Sequence, residues 1–324
     1  MSTTSWGVWR ERLFGAGSPD AIWNGIFADV LARAQTDKTS ALETHCLDGD
    51  QLLADAAWDL WTAYAVDPAC RRMRTAARLI DWWSQPGPPP AVLILDALSL
   101  RELPILLAAG SRHGITPHTV AATGAEAPSD TNAFARALGV SARATLRGGK
   151  PPAGFRLADA FTEVFERIPF ADSQGAIRHD PKVFVWHDLI DAHLGDVRSQ
   201  THLDDLVHPT IEGDAFWRFV DHLRQGRRLV ITGDHGYATK ANARPIEGAL
   251  GTQMRDIFGG MRLVESDGPL PNGMPPWVVT TVDRHHLVVG NRSWRVPGSS
   301  KEAYHGGLSL LEIVVPWIEF PAKG

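Results

Sequence analysis

Cysteine is nearly absent: Cys46 and Cys70 are the only two in 324 residues. Two are too few for a disulfide framework, and their spacing is not that of a zinc site, so a reducing compartment is expected. No apolar run approaches the roughly 20 residues that a membrane-spanning helix needs. The N-terminal stretch "MSTTSWGVWRERLFGAG" has no uninterrupted apolar core of signal-peptide type. A cytoplasmic protein without membrane contact is the expectation. Positive charge is not in excess either. The net charge is −5 and the isoelectric point about 6.2, which excludes a surface that grips nucleic acid over its whole extent. A local cluster of arginines around an anionic substrate stays open, since arginine greatly outnumbers lysine.

What is present is a chain of two textures. Residues 1–88 read as a helical lobe. In "DAIWNGIFADVLARAQ", Ile22, Ile26 and Val30 recur every four residues, as do Trp23, Phe27 and Leu31, forming one wide apolar stripe. "DQLLADAAWDLWTAYAV" reads as a second helix starting after Gly49, with Asp50 as N-cap. "ACRRMRTAARLIDWWSQ" reads as a third, stopped by "PGPPP" at 86–90. Trp58, Trp61, Trp82 and Trp83 crowd this part, as core packing or as a surface for a protein partner.

Residues 89–324 change to short apolar runs: "AVLILDAL", "HTVAAT", "KVFVWHDL", "RLVITGDHG", "PWVVTTV", "HHLVVGN" and "VVPWIEF". Continuous rather than alternating runs suit parallel strands covered on both faces. The helical stretches between them, such as "DAFWRFVDHLRQG", imply an α/β fold with a mostly parallel sheet flanked by helices. "DRHHLVVGNRSWRV" reads as a hairpin turning at Gly290–Asn291. Residues 140–178 read as an insertion with one helix, "LADAFTEVFERI".

Three of the runs end in metal-type side chains, where open α/β sheets bind ligands. The first ends in Asp96, another in His187, Asp188 and Asp191, and another in Asp234 and His235. Any one of these acids is an ordinary helix N-cap; their convergence is what points to a site. His305 precedes two glycines that let the backbone pass close to a neighbour. Carboxylates with imidazoles suit zinc or manganese. Consecutive Asp234 and His235 leaving one strand can reach a single cation.

These segments resemble the PglZ domains of the alkaline phosphatase superfamily. The likeness rests on "LDAL", a hydroxyl residue opening a later helix, "WHDLIDAHLGD", "ITGDHG" and "HGGLSLLEIVVPWI", and spans roughly residues 90–320. It implies the alkaline phosphatase-like core and two divalent metal ions clamping a phosphoryl group. One ion would be held by Asp96, Asp234 and His235. The other would be held by Asp191, His305 and Asp196, with His193 as the rival because Asp191 and Asp196 are five apart where the family has four. Thr131 would be the nucleophile, with Ser129 and Ser99 as alternatives and an ordinary helix cap as the plain reading of Thr131. Arg136 would bind substrate, or be a solvated helix arginine. The activity implied is that of a metal-dependent phosphodiesterase or nuclease acting on nucleotides, oligonucleotides or nucleic acid, in phage defence. The alternative is a metal-binding scaffold of little or no activity that docks a partner through the helical lobe.

Overall fold

The computed structural model describes Trp9, Leu13 and residues 17–177, 179–299 and 301–324. Most of the stretch read for a signal peptide lies outside the described residues. The first long helix, α1 (Pro19–Thr36), has proline in its first turn and buries Trp23, Ile26, Phe27 and Val30, the expected stripe. Helix α2 (Thr39–Ala56) departs from expectation. It begins at Thr39, well before the anticipated cap at Asp50, and runs through Gly49 and Asp50, both buried. Glycine inside a helix costs about 1 kcal/mol, which the burial of Leu42, Cys46, Leu52 and Leu53 offsets. Asp50 is therefore no cap for its own helix. Its side chain reaches across the molecule instead.

Helices α3 (Asp59–Val66) and α4 (Thr75–Trp83) follow, the chain leaves α4 into the proline run, and α5 (Leu103–Arg112) lies further along. Trp61, Trp82 and Trp83 are buried and Trp58 is exposed, so three of the four tryptophans are core.

The central sheet has six strands: β1 (Pro90–Leu95), β2 (Thr119–Gly124), β3 (Phe161–Phe165), β4 (Val183–His187), β5 (Arg228–Thr232) and β9 (Val314–Phe320). Their order is β2-β9-β5-β1-β4-β3. Strands β5, β1, β4 and β3 pair in parallel, while β9 runs antiparallel to both β2 and β5. Every residue of β1 and β4 is buried, as strands covered on both faces require. Side chains alternate across β1. Ala91, Leu93 and Leu95 join one core with α1 to α3, and Val92 and Ile94 join another with Leu79, Trp82 and Trp83 of α4. The change of texture at the proline run is thus a change of secondary structure, and the apolar core continues across it.

Two local expectations are corrected. "LADAFTEVFERI" is not a helix: it contains β3, parallel to β4 from Phe161↔Val183 to Phe165↔His187. Aromatic and β-branched residues, Phe161, Thr162, Val164 and Phe165, suit that edge. Residues 140–178 accordingly complete the sheet rather than interrupt it. The hairpin turns at Asp283–Arg284, not Gly290–Asn291. It joins β7 (Val279–Val282) to β8 (His285–Val288), which also pairs with β6 (Leu263–Glu265). Asp283 takes the left-handed conformation there (φ 51°), one that aspartate tolerates. Asn291 is buried, and its side-chain amide donates to the carbonyls of Thr239 and Asn242.

Candidate metal centre

The carboxyl ends of β1, β4 and β5 lie side by side, because register pairs Leu95 with His187 and Ile94 with Thr232. The residues that follow each strand therefore meet at one edge. After β1, Asp96 is fully buried. Its Oδ2 accepts from the Trp186 indole at 3.0 Å and pairs with Arg143, whose other guanidinium nitrogen is 3.0 Å from Glu166 Oε1. After β5, Asp234 and His235 are also fully buried. Asp234 Oδ1 accepts from the Ala97 amide at 3.0 Å. Its Oδ2 is buried with no hydrogen-bond partner.

His235 Nδ1 lies 2.9 Å from the Gly236 carbonyl. A carbonyl only accepts, so Nδ1 carries hydrogen and Nε2 faces the acids. Nε2 is 3.4 Å from Asp234 Oδ2 and 3.6 Å from Asp96 Oδ1. The glycines on either side are required by close approach. A Cβ on Gly233 would sit 2.7 Å from the Leu98 carbonyl oxygen, and one on Gly236 would sit 2.2 Å from that of Leu311.

The second group of donors comes from β4 and the C-terminal loop. Asp191 opens a short helical turn (Asp191–Leu194), and its Oδ1 is 3.7 Å from His305 Nε2. The rings of His305 and His235 stack with centroids 4.4 Å apart. Ser129 holds this loop: its hydroxyl donates to the Gly307 carbonyl at 2.7 Å and accepts from the Gly306 amide at 3.1 Å. Among the described residues, two groups of donors, Asp96–Asp234–His235 and Asp191–His235–His305, each lie within 4.8 Å of one another.

Electrostatics bear on whether these residues fit a cation. Burial, and then the charges of Asp234 and Asp191, push Asp96 well above the usual carboxylate range. Burial also raises Asp191. Burial alone would depress His235, but Asp234, Asp96 and Asp191 outweigh it and raise its pKa to about 9. Burial, with the neighbouring His235, holds His305 well below the usual imidazole range. Three carboxylates crowd one buried edge, and Asp234 Oδ2 has no donor. A divalent cation is the chemistry that such a donor set fits.

Thr131 stands at this edge. It is the first residue of helix α6 (Thr131–Ala137), but the cap is its neighbour: Asp130 accepts from the Ala133 amide at 2.6 Å. The Thr131 hydroxyl is left to face Asp96 Oδ1 at 3.4 Å and His235 Nε2 at 3.3 Å.

Other expected residues lie elsewhere. Asp196 and His193 are in neither donor group. They line a separate cavity of about 540 Å³ with His187, Asp188 and Phe170. His187 Nε2 donates to the Ile168 carbonyl at 2.9 Å, and Asp188 accepts from the Arg167 amide, so both brace the 167–168 turn. Ser99 is buried, and its hydroxyl oxygen accepts from the Arg101 amide. Arg136 is exposed on a different face of α6 from Thr131. The arginine at the centre is Arg143, which sequence reasoning missed together with Glu166 and Trp186. Trp186 precedes the "HD" pair and was legible only as an apolar strand residue. Arg143 and Glu166 come from the stretch read as an insertion.

No curated protein matches the chain by sequence. Phosphonoacetate hydrolase of Sinorhizobium meliloti 1021, in complex with phosphonoformate, is similar at 14% identity over 72% of this chain and 90% of that one, with a TM-score of 0.39. Murine ectonucleotide pyrophosphatase/phosphodiesterase 5 is similar at 12% identity over 72% of this chain and 88% of that one, with a TM-score of 0.42. Residues 165–320 match the family described as "BREX system PglZ alkaline phosphatase-like domain". That span holds Asp191, Asp234, His235 and His305; Asp96 and Thr131 precede it and join the same cluster through β1 and α6. Residues 165–320, just under half of the chain, are thus similar to the PglZ alkaline phosphatase-like domain, and the strand-end donors fit a phosphoester hydrolase.

Proposed function

We propose that the protein is a metal-dependent phosphodiesterase or nuclease acting on nucleotides, oligonucleotides or nucleic acid, with Thr131 as its nucleophile. The observation that carries this is the Thr131 hydroxyl, 3.4 Å from Asp96 and 3.3 Å from His235 and not engaged in capping its own helix. Asp96, Asp234 and His235 would hold one divalent ion, and Asp191 with His305 the second. His235 Nε2 has a single lone pair, so it serves one ion. The Asp191–His305 pair then leaves positions open for substrate. Zinc or manganese would neutralise phosphoryl oxygens and lower the pKa of a hydroxyl held beside them.

The chain's own groups then have distinct tasks. Thr131 presents the attacking oxygen. Trp186 and the Ala97 amide orient the Asp96 and Asp234 carboxylates. Arg143 is shared between Asp96 and Glu166, which leaves little uncompensated positive charge for the extra negative charge of a monoester. That favours a diester. The family's BREX association supports placing this activity in phage defence.

The metal-binding scaffold is the second reading, and the two-residue second group favours it. One experiment separates the two. Purified protein is analysed for bound metal and assayed on a chromogenic phosphodiester with zinc and with manganese. Turnover that chelation abolishes is expected; bound metal without turnover under either ion would leave only the scaffold.

A further inference from the structure

Behind the segment that carries Thr131 lies a cleft of about 360 Å³ whose rim holds Arg71, Arg74, Arg136 and Arg156. Against these four guanidinium groups stand the carboxyls of Glu126 and Asp283. Arg74 is buried and already committed. It pairs with Glu126 at 3.1 Å and donates to the Ala65 carbonyl at 2.8 Å. Arg71, Arg136 and Arg156 are exposed, and none lies within ion-pair distance of a carboxylate among the described residues. Three arginines without a close ion pair, beside Arg74, leave this concavity with more guanidinium groups than carboxylates on a chain of net charge −5. Like charges held together this way carry a cost unless an anion joins them. Guanidinium is the side chain suited to phosphate.

The cleft's position says which phosphates. Ala127 and Pro128 line it. The next residue, Ser129, holds the loop after His305, and Thr131 faces the metal-type donors. Only Ser129 and Asp130 stand between Pro128 and Thr131, so the cleft wall is within about 11 Å of the nucleophile. That is on the order of three nucleotides along a strand.

We propose that this arginine cleft binds the phosphate backbone of a nucleic-acid strand, a few nucleotides from the bond held at Thr131. The proposal rests on the phosphodiester reading and adds to it a substrate longer than a mononucleotide. It assigns Arg136 to backbone binding away from the reacting phosphoryl group.

The test is made in chelator, so that no turnover is needed. Binding of a fluorescent single-stranded oligonucleotide of about 12 nucleotides is measured across salt concentrations. Three arginine–phosphate contacts predict a slope of log K against log salt of about −2. The exposed pair Arg71→Gln/Arg156→Gln should make that slope shallower by about 1.4. The same variant should hydrolyse a small chromogenic diester like the wild type. An unchanged slope in the double variant overturns the proposal. So does variant-sensitive binding of inorganic pyrophosphate with no binding of the oligonucleotide, which would assign the cleft to small phosphate anions. Salt-dependent, variant-sensitive strand binding by a protein without diester activity would uphold the cleft and sink the catalytic reading instead.

Discussion

Two sets of buried acids lie close together and are treated in opposite ways. Behind the "HGG" loop, Glu312 is fully satisfied. Arg262 donates to both its oxygens at 2.7 and 2.8 Å, the Gly307 amide donates at 3.0 Å, and the Ser309 hydroxyl at 2.7 Å. Asp50, arriving from α2, accepts from the Leu310 and Asn291 amides, each at 2.9 Å. At the strand ends, Asp234 Oδ2 has no partner and Asp96 Oδ1 faces only a distant hydroxyl and an imidazole. A buried carboxylate with all its donors supplied by the protein is holding structure. One whose oxygens face other acids is waiting for something the chain does not contain.

The largest effect expected from this contrast is on chemistry. Thr131→Val keeps the shape and removes the oxygen, so diester hydrolysis should fall by at least about 10³-fold. Metal content and melting temperature should stay at wild-type levels. Measurable turnover within about tenfold of wild type would make Thr131 a bystander and return the question to water.

Stability should split the two sets of acids next. Arg262→Ala strands Glu312 and should cost about 3–5 kcal/mol in denaturant unfolding. Asp234→Asn, measured in chelator, should be at least as stable as wild type, because it keeps an acceptor for the Ala97 amide and removes one of three charges crowded at a buried edge. With metal supplied, the same variant should lose bound metal and activity together. A strongly destabilised metal-free Asp234→Asn would place that acid with the structural set.

A smaller effect concerns pH. Burial, against the pull of its two amide donors, raises the Asp50 pKa to about 7, well above the ordinary carboxylate near 4. The folded state therefore binds the proton more tightly than the unfolded chain does. Asp50's contribution is fully present below about pH 4 and is lost as pH rises towards 7. Unfolding free energy should fall over that window more steeply in the wild type than in Asp50→Asn. Identical slopes would mean that Asp50 is ionised throughout.

The smallest effect is expected at Asp196 and His193. Alanine at either should leave bound metal within about twofold of wild type, read by elemental analysis, since both line the neighbouring cavity. Loss of one metal equivalent would restore either of them as a ligand.

Much of this architecture is legible in the chain. Apolar runs of five or six residues ending in acid announced β1, β4 and β5, because strands buried on both faces cannot alternate. Asp96, Asp234 and His235 follow from the same pattern. Asp191 stood out in the acid cluster after β4 and His305 before its two glycines, but only the family likeness joined them as one ligand pair. Asp50 was misread for a local reason: Gly–Asp before a periodic segment is a good helix start. Here burial of α2 carried the helix straight through it. β3 was misread because "LADAFTEVFERI" satisfies both periodicities, and only the open edge of β4 selects the strand.

Apart from β3 and the start of α2, the sequence by itself determined the order of strand and helix, the acids placed at strand ends, and the glycines flanking Asp234 and His235. These depend on neighbours a few residues away. Only the tertiary structure decided that Arg143 pairs with Asp96, that Asp130 rather than Thr131 caps α6, and that Asp196 turns from the centre. It also decided that Asp50 braces a loop 260 residues distant in the chain. Those outcomes depend on which groups are left without partners once the sheet has closed, and no local pattern records that.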